Sequence, residues 1–488
     1  MNLKKYFFAF LILPAALFLC AHTPGYSKSY YVNLNGRDNN PGTMVSPFKT
    51  IRKINSIHLN AGDAIYFKSG QVFSGTIKLG NIAGSKAKQI VLSSYGAGKA
   101  IINGDSVTAI SLYKAKFVTI RNLKLTGLGR KTGNRQSGLA IINSNDINAT
   151  DLDISGFQKA GLLIDSSSYI TANNIFAHDN GSAGITVEGR NSKKDSRNIH
   201  IINCRAENNP GDPTKLDNHS GNGIVVGHCT NVVIDLCTAT NNGWDMPRIG
   251  NGPVGIWCYE ADSVLIQHCL SYRNKTSKGG ADGGGFDLDG GTTNSIIQYC
   301  FSYENQGSGY CIFQYWGASP FYNNIIRYNI TENDGTVSDS QAGMYVWNSS
   351  GDANQFYNTK VYGNIVYNSK VAALSFSEKS MNKGFDFHNN IFVGMDSLII
   401  GKDILGKCTF TANNWWSLKS GFNINGIKSL KAWAEKTGKE QKDGKIAGLN
   451  ENPRFKNPGT ANLTSASQIA SFTGYKLPEG SKLRKLLK

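Results

Sequence analysis

The sequence has little proline and little charge. Only 12 of its 488 residues are Pro, and Asp, Glu, Lys and Arg together make up 17%. So low a charged fraction argues against a disordered chain and against a coiled coil, because both are rich in charged residues. No two of the nine cysteines are spaced as a CxxC pair, so we do not expect a zinc site.

Long apolar runs are also absent after the first residues. The apolar segment from Phe7 to Ala21 follows a short basic start and is short for a membrane span. It predicts a signal peptide at 1–27, and therefore a secreted or periplasmic protein without stable membrane insertion. Cys20 makes a cell-surface lipoprotein the alternative, but Leu19 precedes it where lipid attachment favours a small residue.

The positive charge is not concentrated in one patch. The formal net charge is +17, and apart from the tail at 481–488 the lysines and arginines are scattered. Scattered charge is what solubility alone requires, so we expect no nucleic-acid partner. A basic protein is also suited to an acidic glycan.

Glycine is abundant, with 54 residues, and two residue types recur at regular spacing. A cysteine column recurs every 31 to 33 residues, at Cys204, Cys237, Cys269 and Cys300. An asparagine column occupies Asn180, Asn209, Asn242, Asn274 and Asn305. Such columns are expected when short strands stack as coils, because like residues then lie above one another. We interpret the cysteines as small buried apolar side chains, with disulfides between adjacent coils as the alternative.

A second series of segments begins with Gly and alternates apolar residues at every second position, as in GITVE at 184 and GIVVG at 223. A period of two is typical of strands, and strands in a short repeat predict a solenoid. The predicted fold is all-β, a single-stranded right-handed parallel β-helix over 28–427. A short amphipathic helix at 428–438 and a terminal cap segment then occupy 428–488.

Three successive coils carry insertions at the same corner. The chain normally needs four residues to pass from an Asn of the column to the next Gly segment, but here it uses 11 to 14. The inserted loops are 210–222, 243–254 and 275–284. Insertions at one corner of a solenoid lie on one side of it, so we expect them to form a wall of a single cleft.

The outward face of the Gly-series strands carries aromatic residues beside these loops. We expect a substrate-binding platform formed by Trp257, Tyr259, Tyr345 and Trp347, with His228 nearby. Flat aromatic faces suit the C–H faces of a sugar ring. The alternative is that the inserted loops fold over these residues.

Asp287 and Asp289 lie two residues apart on the same face, about 6.5–7 Å from each other by two strand rises. Such a pair could act as acid and base in glycoside hydrolysis. With help from Asp282 and Glu260 it could instead bind Ca²⁺, the one cofactor that we consider. A third interpretation is that the pair merely ends a strand at an Asp-Gly turn.

The sequence resembles a known superfamily at both ends. The opening at 30–70 (YYVNLNGRDNNPG to AGDAIYFKSG) is similar to the start of secreted pectate-lyase-like β-helix proteins, and NNWW at 413–416 with 451–468 is similar to their last coils. The resemblance implies a right-handed β-helix closed by an N-terminal capping helix. It leaves the reaction open, because the superfamily includes lyases, hydrolases, epimerases and binding proteins.

The stretch at 285–310 also resembles the catalytic module of alginate C5-epimerases. Gly285, Phe286 and Asp287 match that family, but Leu288, Asp289 and Gly290 stand where it has Pro-His-Glu. The resemblance therefore implies a catalytic or substrate-contacting role for Asp287 alone.

We predict a carbohydrate-active enzyme, a monomer whose partner is a polysaccharide. The leading hypothesis is β-elimination from a uronic-acid polymer, in which Ca²⁺ or a basic side chain neutralises the carboxylate. The candidates for the base that removes the proton are Lys275, Lys278, Arg248 and His228. One alternative is an inverting glycoside hydrolase that uses Asp287 and Asp289, or one of them with Asp282 or Glu260. The other is a glycan-binding protein without catalysis.

Overall fold

The computed structural model describes residues 27–190, 194–377, 381–401 and 408–487. Almost all of the predicted signal peptide, including Cys20, lies outside these residues. No helix in the described part of the chain is long and apolar enough to cross a membrane. The described chain is a parallel β-helix with few helices, which confirms the predicted fold class.

A twelve-stranded parallel sheet forms one side of the solenoid. Its strands are β4 (Ile77–Gly80), β7 (Ile110–Tyr113), β9 (Leu139–Ile142), β11 (Ala160–Asp165), β13 (Ala183–Glu188), β16 (Asn222–Gly227), β19 (Val254–Tyr259), β22 (Gly284–Leu288), β25 (Tyr310–Gln314), β29 (Met344–Asn348), β32 (Leu374–Phe376) and β35 (Ile399–Ile400).

A 25-stranded parallel sheet forms the remaining sides, as two columns joined by the long strands β8, β10 and β12. Its strands are β1 (Ser29–Val32), β2 (Ala64–Lys68), β3 (Val72–Ser74), β5 (Ile90–Tyr95), β6 (Ala100–Asp105), β8 (Lys116–Gly127), β10 (Asn145–Ser155), β12 (Ser168–His178), β14 (Ser196–Ile202), β15 (Arg205–Glu207), β17 (Cys229–Asp235), β18 (Thr238–Thr240), β20 (Asp262–Gln267), β21 (Leu270–Tyr272), β23 (Ile296–Gln298), β24 (Phe301–Tyr303), β26 (Phe321–Tyr322), β27 (Ile325–Arg327), β28 (Ile330–Glu332), β30 (Phe356–Tyr362), β31 (Ile365–Tyr367), β33 (Lys383–His388), β34 (Ile391–Gly394), β36 (Cys408–Thr411) and β37 (Asn414–Ser417).

The two α-helices of the described residues are short and lie at the ends of the solenoid. They are α1 (Ile51–Ile54) and α2 (Leu430–Thr437), with 3-10 turns at Ala353–Gln355, Ala466–Ser471 and Lys482–Leu487. α1 is the expected capping helix and buries Ile51 and Ile54. α2 is the predicted C-terminal helix, capped by Ser429 and Gly438, and its Trp433 packs on Trp415 at the end of the core.

The chain after α2 does not only cover the end of the solenoid but also packs against its side. A second hydrophobic cluster joins this segment to the outward side chains of β21, β24 and β34, so the segment lies along the outside of the coils. Glu332 anchors it by accepting hydrogen bonds from Ala461 N (2.9 Å) and Tyr475 Oη (2.6 Å). The outward apolar residues explain this path, because leaving them in water would cost about 25 cal/mol per Å².

The asparagine column is a buried hydrogen-bonded ladder. Asn242 Oδ1 accepts from the backbone N of Asn209 (3.0 Å) and from its Nδ2 (2.9 Å), and Asn242 Nδ2 donates to Asn274 Oδ1 (2.8 Å). Each side chain thereby satisfies backbone groups that a tight corner cannot pair by itself. Asp334 continues the column, since its Oδ1 accepts from Asn305 N at 2.7 Å.

The cysteine column lies at another corner and has the same role. All four thiols are buried and free, which excludes the disulfide alternative among them. Each of Cys237, Cys269 and Cys300 places its Sγ 3.4 Å from the backbone N of the preceding cysteine. In later coils Asn329 and Asn364 accept the same bonds, so the cysteines are hydrogen-bond acceptors as well as apolar filler.

Thiol reagents are therefore expected to leave the native protein unmodified. The pKa values of Cys204, Cys237 and Cys269 are raised well above the ordinary range because burial opposes the thiolate, which is the reactive form. Titration with Ellman's reagent should detect fewer than one thiol per chain in buffer and should detect the whole column in denaturant. Fast labelling of native protein would contradict the core position of the column.

Candidate active site

The three inserted loops and the outward face of the twelve-stranded sheet enclose one cavity of about 660 Å³. The first loop contributes Asn218 and His219, the second contributes residues 249–252 and the third contributes residues 279–282. The prediction that these loops form one wall is therefore confirmed in geometry. A fourth insertion, between β28 and β29, also lines the cavity through Val337, Ser338, Ser340 and Gln341, and the sequence reasoning missed it. The asparagine column continues at Asp334 instead of Asn, so the sequence reasoning did not recognise this corner or the long connection that follows it.

The loops also cover part of the strand face that we expected to be open. Trp257 and Asp287 are only 3% and 2% exposed, and Val225 is 5% exposed. At these positions the structure therefore agrees with the alternative interpretation, in which the inserted loops fold over the strand face. The physical reason is that a row of apolar side chains on an outer face is stabilised when the inserted loops pack on it.

The floor of the cavity follows from strand register. Trp257 of β19 pairs with Asp287 of β22, which pairs with Cys311 of β25, and Cys311 pairs with Tyr345 of β29. Parallel strands in register place these side chains in one row across the coils. Asp287 thus lies in the middle of the row, as the sequence predicted.

Aromatic rings lie on both sides of the carboxyl groups. On one side, the ring centroids of Trp257 and Tyr259 are 5.3 Å apart. On the other side, Phe313 packs edge-on against Tyr345 at 5.3 Å and against Trp347 at 5.7 Å. The predicted residues Trp257, Tyr259, Tyr345 and Trp347 all line the cavity, so a sugar ring could contact an aromatic face on either side of the acids.

Three carboxyl groups line the cavity, and two of them are fixed by backbone amides. Asp282 Oδ2 accepts from Gly252 N at 2.7 Å, and Asp289 Oδ1 accepts from Gly290 N at 2.7 Å. Asp287 differs, because its Oδ1 is buried without a hydrogen-bond partner among the described residues.

Burial raises the pKa of all three carboxyls. The pKa of Asp282 is about 6 and that of Asp289 is about 7, where the charge of Asp282 adds to the effect of burial. The pKa of Asp287 is raised furthest, by burial first and then by the charges of Asp289 and Asp282. Near neutral pH the cluster therefore holds protonated and ionised carboxyls together, the combination that acid–base catalysis needs.

The predicted basic residues do not line the cavity. Lys278 is exposed on its loop, and Arg248 donates to the backbone O of Asp217 at 3.0 Å. His228 Nδ1 lies 2.6 Å from Glu188 Oε1, and the ring packs edge-on against Tyr259. Sequence spacing placed these residues near the loops, but it could not show that their side chains do not line the cavity.

The three predicted Ca²⁺ ligands all line the cavity. Within the described residues, no group of three or more His, Cys, Asp or Glu side chains is placed to hold a metal ion. Asp282 and Asp289 instead accept hydrogen bonds from backbone amides. The proposed Ca²⁺ ligation by Asp282, Asp287 and Asp289 stays a prediction, and we assign no step to a metal.

Sequence reasoning gave no role to His219, Tyr315 or Gln341, all of which line the cavity. His219 was visible only as one of several polar residues in the first loop. Tyr315 follows β25, beyond the alternation that identifies strand residues, and Gln341 lies in the unrecognised fourth loop. Their roles depend on loop folding, which has no periodic signal.

Comparison with known proteins agrees with this architecture. A family model described as the Pel9A-like right-handed β-helix region matches residues 30–338. The chain belongs to this family. The expected relationship to pectate-lyase-like β-helix proteins is thereby confirmed.

This Pel9A-like chain is similar to a curated protein and to several solved structures. A curated lacto-N-biosidase from Bifidobacterium longum subsp. longum is 22% identical over 97% of this chain, which spans only 36% of that relative. The crystal structure of GH136 lacto-N-biosidase from Eubacterium ramulus superposes with a TM-score of 0.53 at 17% identity, covering 74% of this chain and 66% of the other. Pectate lyase Pel9A gives a TM-score of 0.43 at 15% identity, covering 94% and 91%.

Proposed function

We propose that this chain is a carbohydrate-active enzyme, a glycoside hydrolase that acts on a neutral glycan with Asp282 and Asp289 as the catalytic pair. The observation that carries the proposal is a cavity lined by three carboxyls and several aromatic rings, with no Lys or Arg among the described lining residues. The similarity to a lacto-N-biosidase along 97% of the chain supports the same reaction class and suggests a lacto-N-bioside as substrate.

The charge of the cavity argues against the β-elimination that the sequence favoured. Elimination needs a cation beside the uronate carboxylate and a base at C5. An ionised carboxyl in the cavity repels a uronate, and the expected bases Lys278 and Arg248 are not among the described lining residues that could offset it. A neutral sugar encounters no such repulsion and can stack on the aromatic rings.

Asp282 and Asp289 are chosen as the pair because a catalytic carboxyl must be held in one position. Their backbone hydrogen bonds provide this, and both pKa values lie near neutrality. In the reaction the protonated carboxyl donates its proton to the glycosidic oxygen as the C1–O bond breaks. Water adds to C1, and its proton passes to the ionised carboxyl.

The test is a product analysis with paired substrates. The protein would be incubated with an aryl lacto-N-bioside and a panel of neutral oligosaccharides, and separately with polygalacturonate and alginate. We expect new reducing ends from a neutral substrate, no ultraviolet-absorbing unsaturated uronate, and no change on adding EDTA. Unsaturated products from either acidic polymer, abolished by EDTA, would replace the hydrolase with a Ca²⁺-dependent lyase.

The pH profile of kcat/KM should be bell-shaped and centred between about pH 6 and 7. Below about 6 both carboxyls of the pair become protonated and the base is lost, whereas above about 7 both become ionised and the acid is lost. Initial rates on the cleaved substrate at constant ionic strength would measure this. A profile that keeps rising to pH 9 would show that the acid is not one of these two groups.

A further inference from the structure

Asn222 is held in one orientation by the aromatic wall of the cavity. Its Oδ1 accepts from Trp257 Nε1 at 3.0 Å and from Val254 N at 3.3 Å. Indole and backbone N–H groups can only donate, so the oxygen of the amide must face them. The amide nitrogen then faces the other way, where it donates to Ser182 O at 3.3 Å.

The orientation of Asn222 decides the tautomer of His219. Asn222 Nδ2 lies 3.0 Å from His219 Nδ1, and because Nδ2 is a donor, Nδ1 must be the acceptor. The proton of the neutral ring is therefore on Nε2. Among the described residues Nε2 has no hydrogen-bond partner, and the ring lines the cavity with its edge against Trp257 at 4.7 Å.

The surroundings keep the ring neutral. Burial, followed by the positive charges of Lys215 and Arg248, lowers the pKa of His219 to about 4. The other ionisable groups that face it are Tyr259, at 6.4 Å between ring centroids, and the carboxyls across the cavity. Above pH 5 the ring is thus an N–H donor without charge.

We propose that His219 determines specificity by donating its Nε2–H to an uncharged oxygen of the bound sugar, a hydroxyl or an acetamido carbonyl. This rests on the proposed glycosidase function. A site built around a hydrogen-bond donor discriminates strongly against analogues that lack the matching acceptor, because the donor is then left unpaired. The carboxyls supply catalysis, and His219 with Asn222 supplies a separate recognition element.

The decisive pair of variants is His219→Phe and Asn222→Asp. His219→Phe keeps a ring against Trp257 and removes the donor, so KM should rise about tenfold, the scale of one lost hydrogen bond, with kcat within about twofold. In Asn222→Asp the carboxylate can only accept, so it requires a proton on Nδ1 of His219. The ratio of its KM to that of the wild type should then change between pH 5 and pH 8.

Histidine-selective ¹⁵N NMR tests the tautomer without any substrate. The wild type should show a protonated Nε2 and an unprotonated Nδ1 for His219, and Asn222→Asp should show a protonated Nδ1. His200→Gln is the control, because His200 lies on the exposed surface of β14. This variant should remove the NMR signal of a different histidine and leave KM unchanged. A wild-type ring protonated on Nδ1, or an unchanged KM in His219→Phe, would overturn the proposal.

The two proposals fail in different ways. If no glycoside is cleaved, the glycosidase function fails, yet the NMR spectrum and a titration of Trp fluorescence with N-acetylglucosamine or galactose still test His219 as a sugar-binding donor. If cleavage is observed but His219→Phe binds and turns over substrate normally, only the recognition role is lost.

Discussion

Replacing Asp289 with asparagine is expected to lower kcat/KM by about 10²–10⁴-fold, the usual contribution of positioned acid–base catalysis. Asparagine keeps the size of the side chain and removes its titratable proton. The same loss is expected for Asp282→Asn, because each member of the pair needs the other. Steady-state kinetics on the substrate found in the product analysis would measure both.

The loss of activity in Asp287→Asn can be compared with the losses in Asp282→Asn and Asp289→Asn. Burial keeps Asp287 protonated at neutral pH, and a neutral amide resembles a neutral carboxylic acid, so we expect a smaller loss than for its two neighbours. Asp165→Asn, on β11 away from the cavity, should be unaffected. Full activity in both Asp282→Asn and Asp289→Asn would remove the catalytic assignment.

Asp289→Asn should also stabilise the folded state at alkaline pH. Burial raises the folded-state pKa of Asp289 from 3.8 to about 7, so the folded state loses stability as the pH rises from about 4 to 7. Asparagine does not titrate, so the folded state of the variant does not lose this stability as the pH rises. The midpoint of thermal unfolding of Asp289→Asn should therefore exceed that of the wild type at pH 8, and the difference should shrink towards pH 4.

Asn242→Ala is expected to lower the free energy of unfolding by on the order of 4 kcal/mol. The substitution removes the side-chain bonds of Asn242 to Asn209 N, Asn209 Nδ2, Ala206 O and Asn274 Oδ1. Asn209 Nδ2 keeps its bond to Ala177 O and Asn274 Oδ1 keeps its bond from the backbone N of residue 242, so the main losses are at Asn209 N and Ala206 O. Each buried unpaired group costs about 1–3 kcal/mol, and partial relaxation reduces the sum. Urea unfolding followed by circular dichroism would measure the change.

The matched control is Asn148→Ala in β10, a half-buried position outside the ladder. It should change the free energy of unfolding by about 0.5 kcal/mol or less, as surface substitutions usually do. Equal effects at Asn148 and Asn242 would mean that the ladder contributes no more than ordinary strand residues.

The repeat was readable from the sequence because stacking imposes a local rule at each coil. Alternation within GITVE and GIVVG identifies inward side chains, and the columns at Asn242 and Cys237 mark corners that recur after a fixed length of chain. The corner that carries insertions follows from the same counting. Asp287 could be placed on the outward face because a strand alternates sides with every residue.

The composition of the cavity depended on contacts that no periodicity encodes. Lys278 and Arg248 are residue types that a lyase needs, but neither lines the cavity, and Arg248 donates to the backbone O of Asp217. Asp282 enters the site because Gly252 of the neighbouring loop donates to it. The sequence by itself determined the solenoid and the side of it on which the loops lie, since both follow from regular stacking. Only the tertiary structure decided which charges face the cavity, because irregular loops fold by packing on one another.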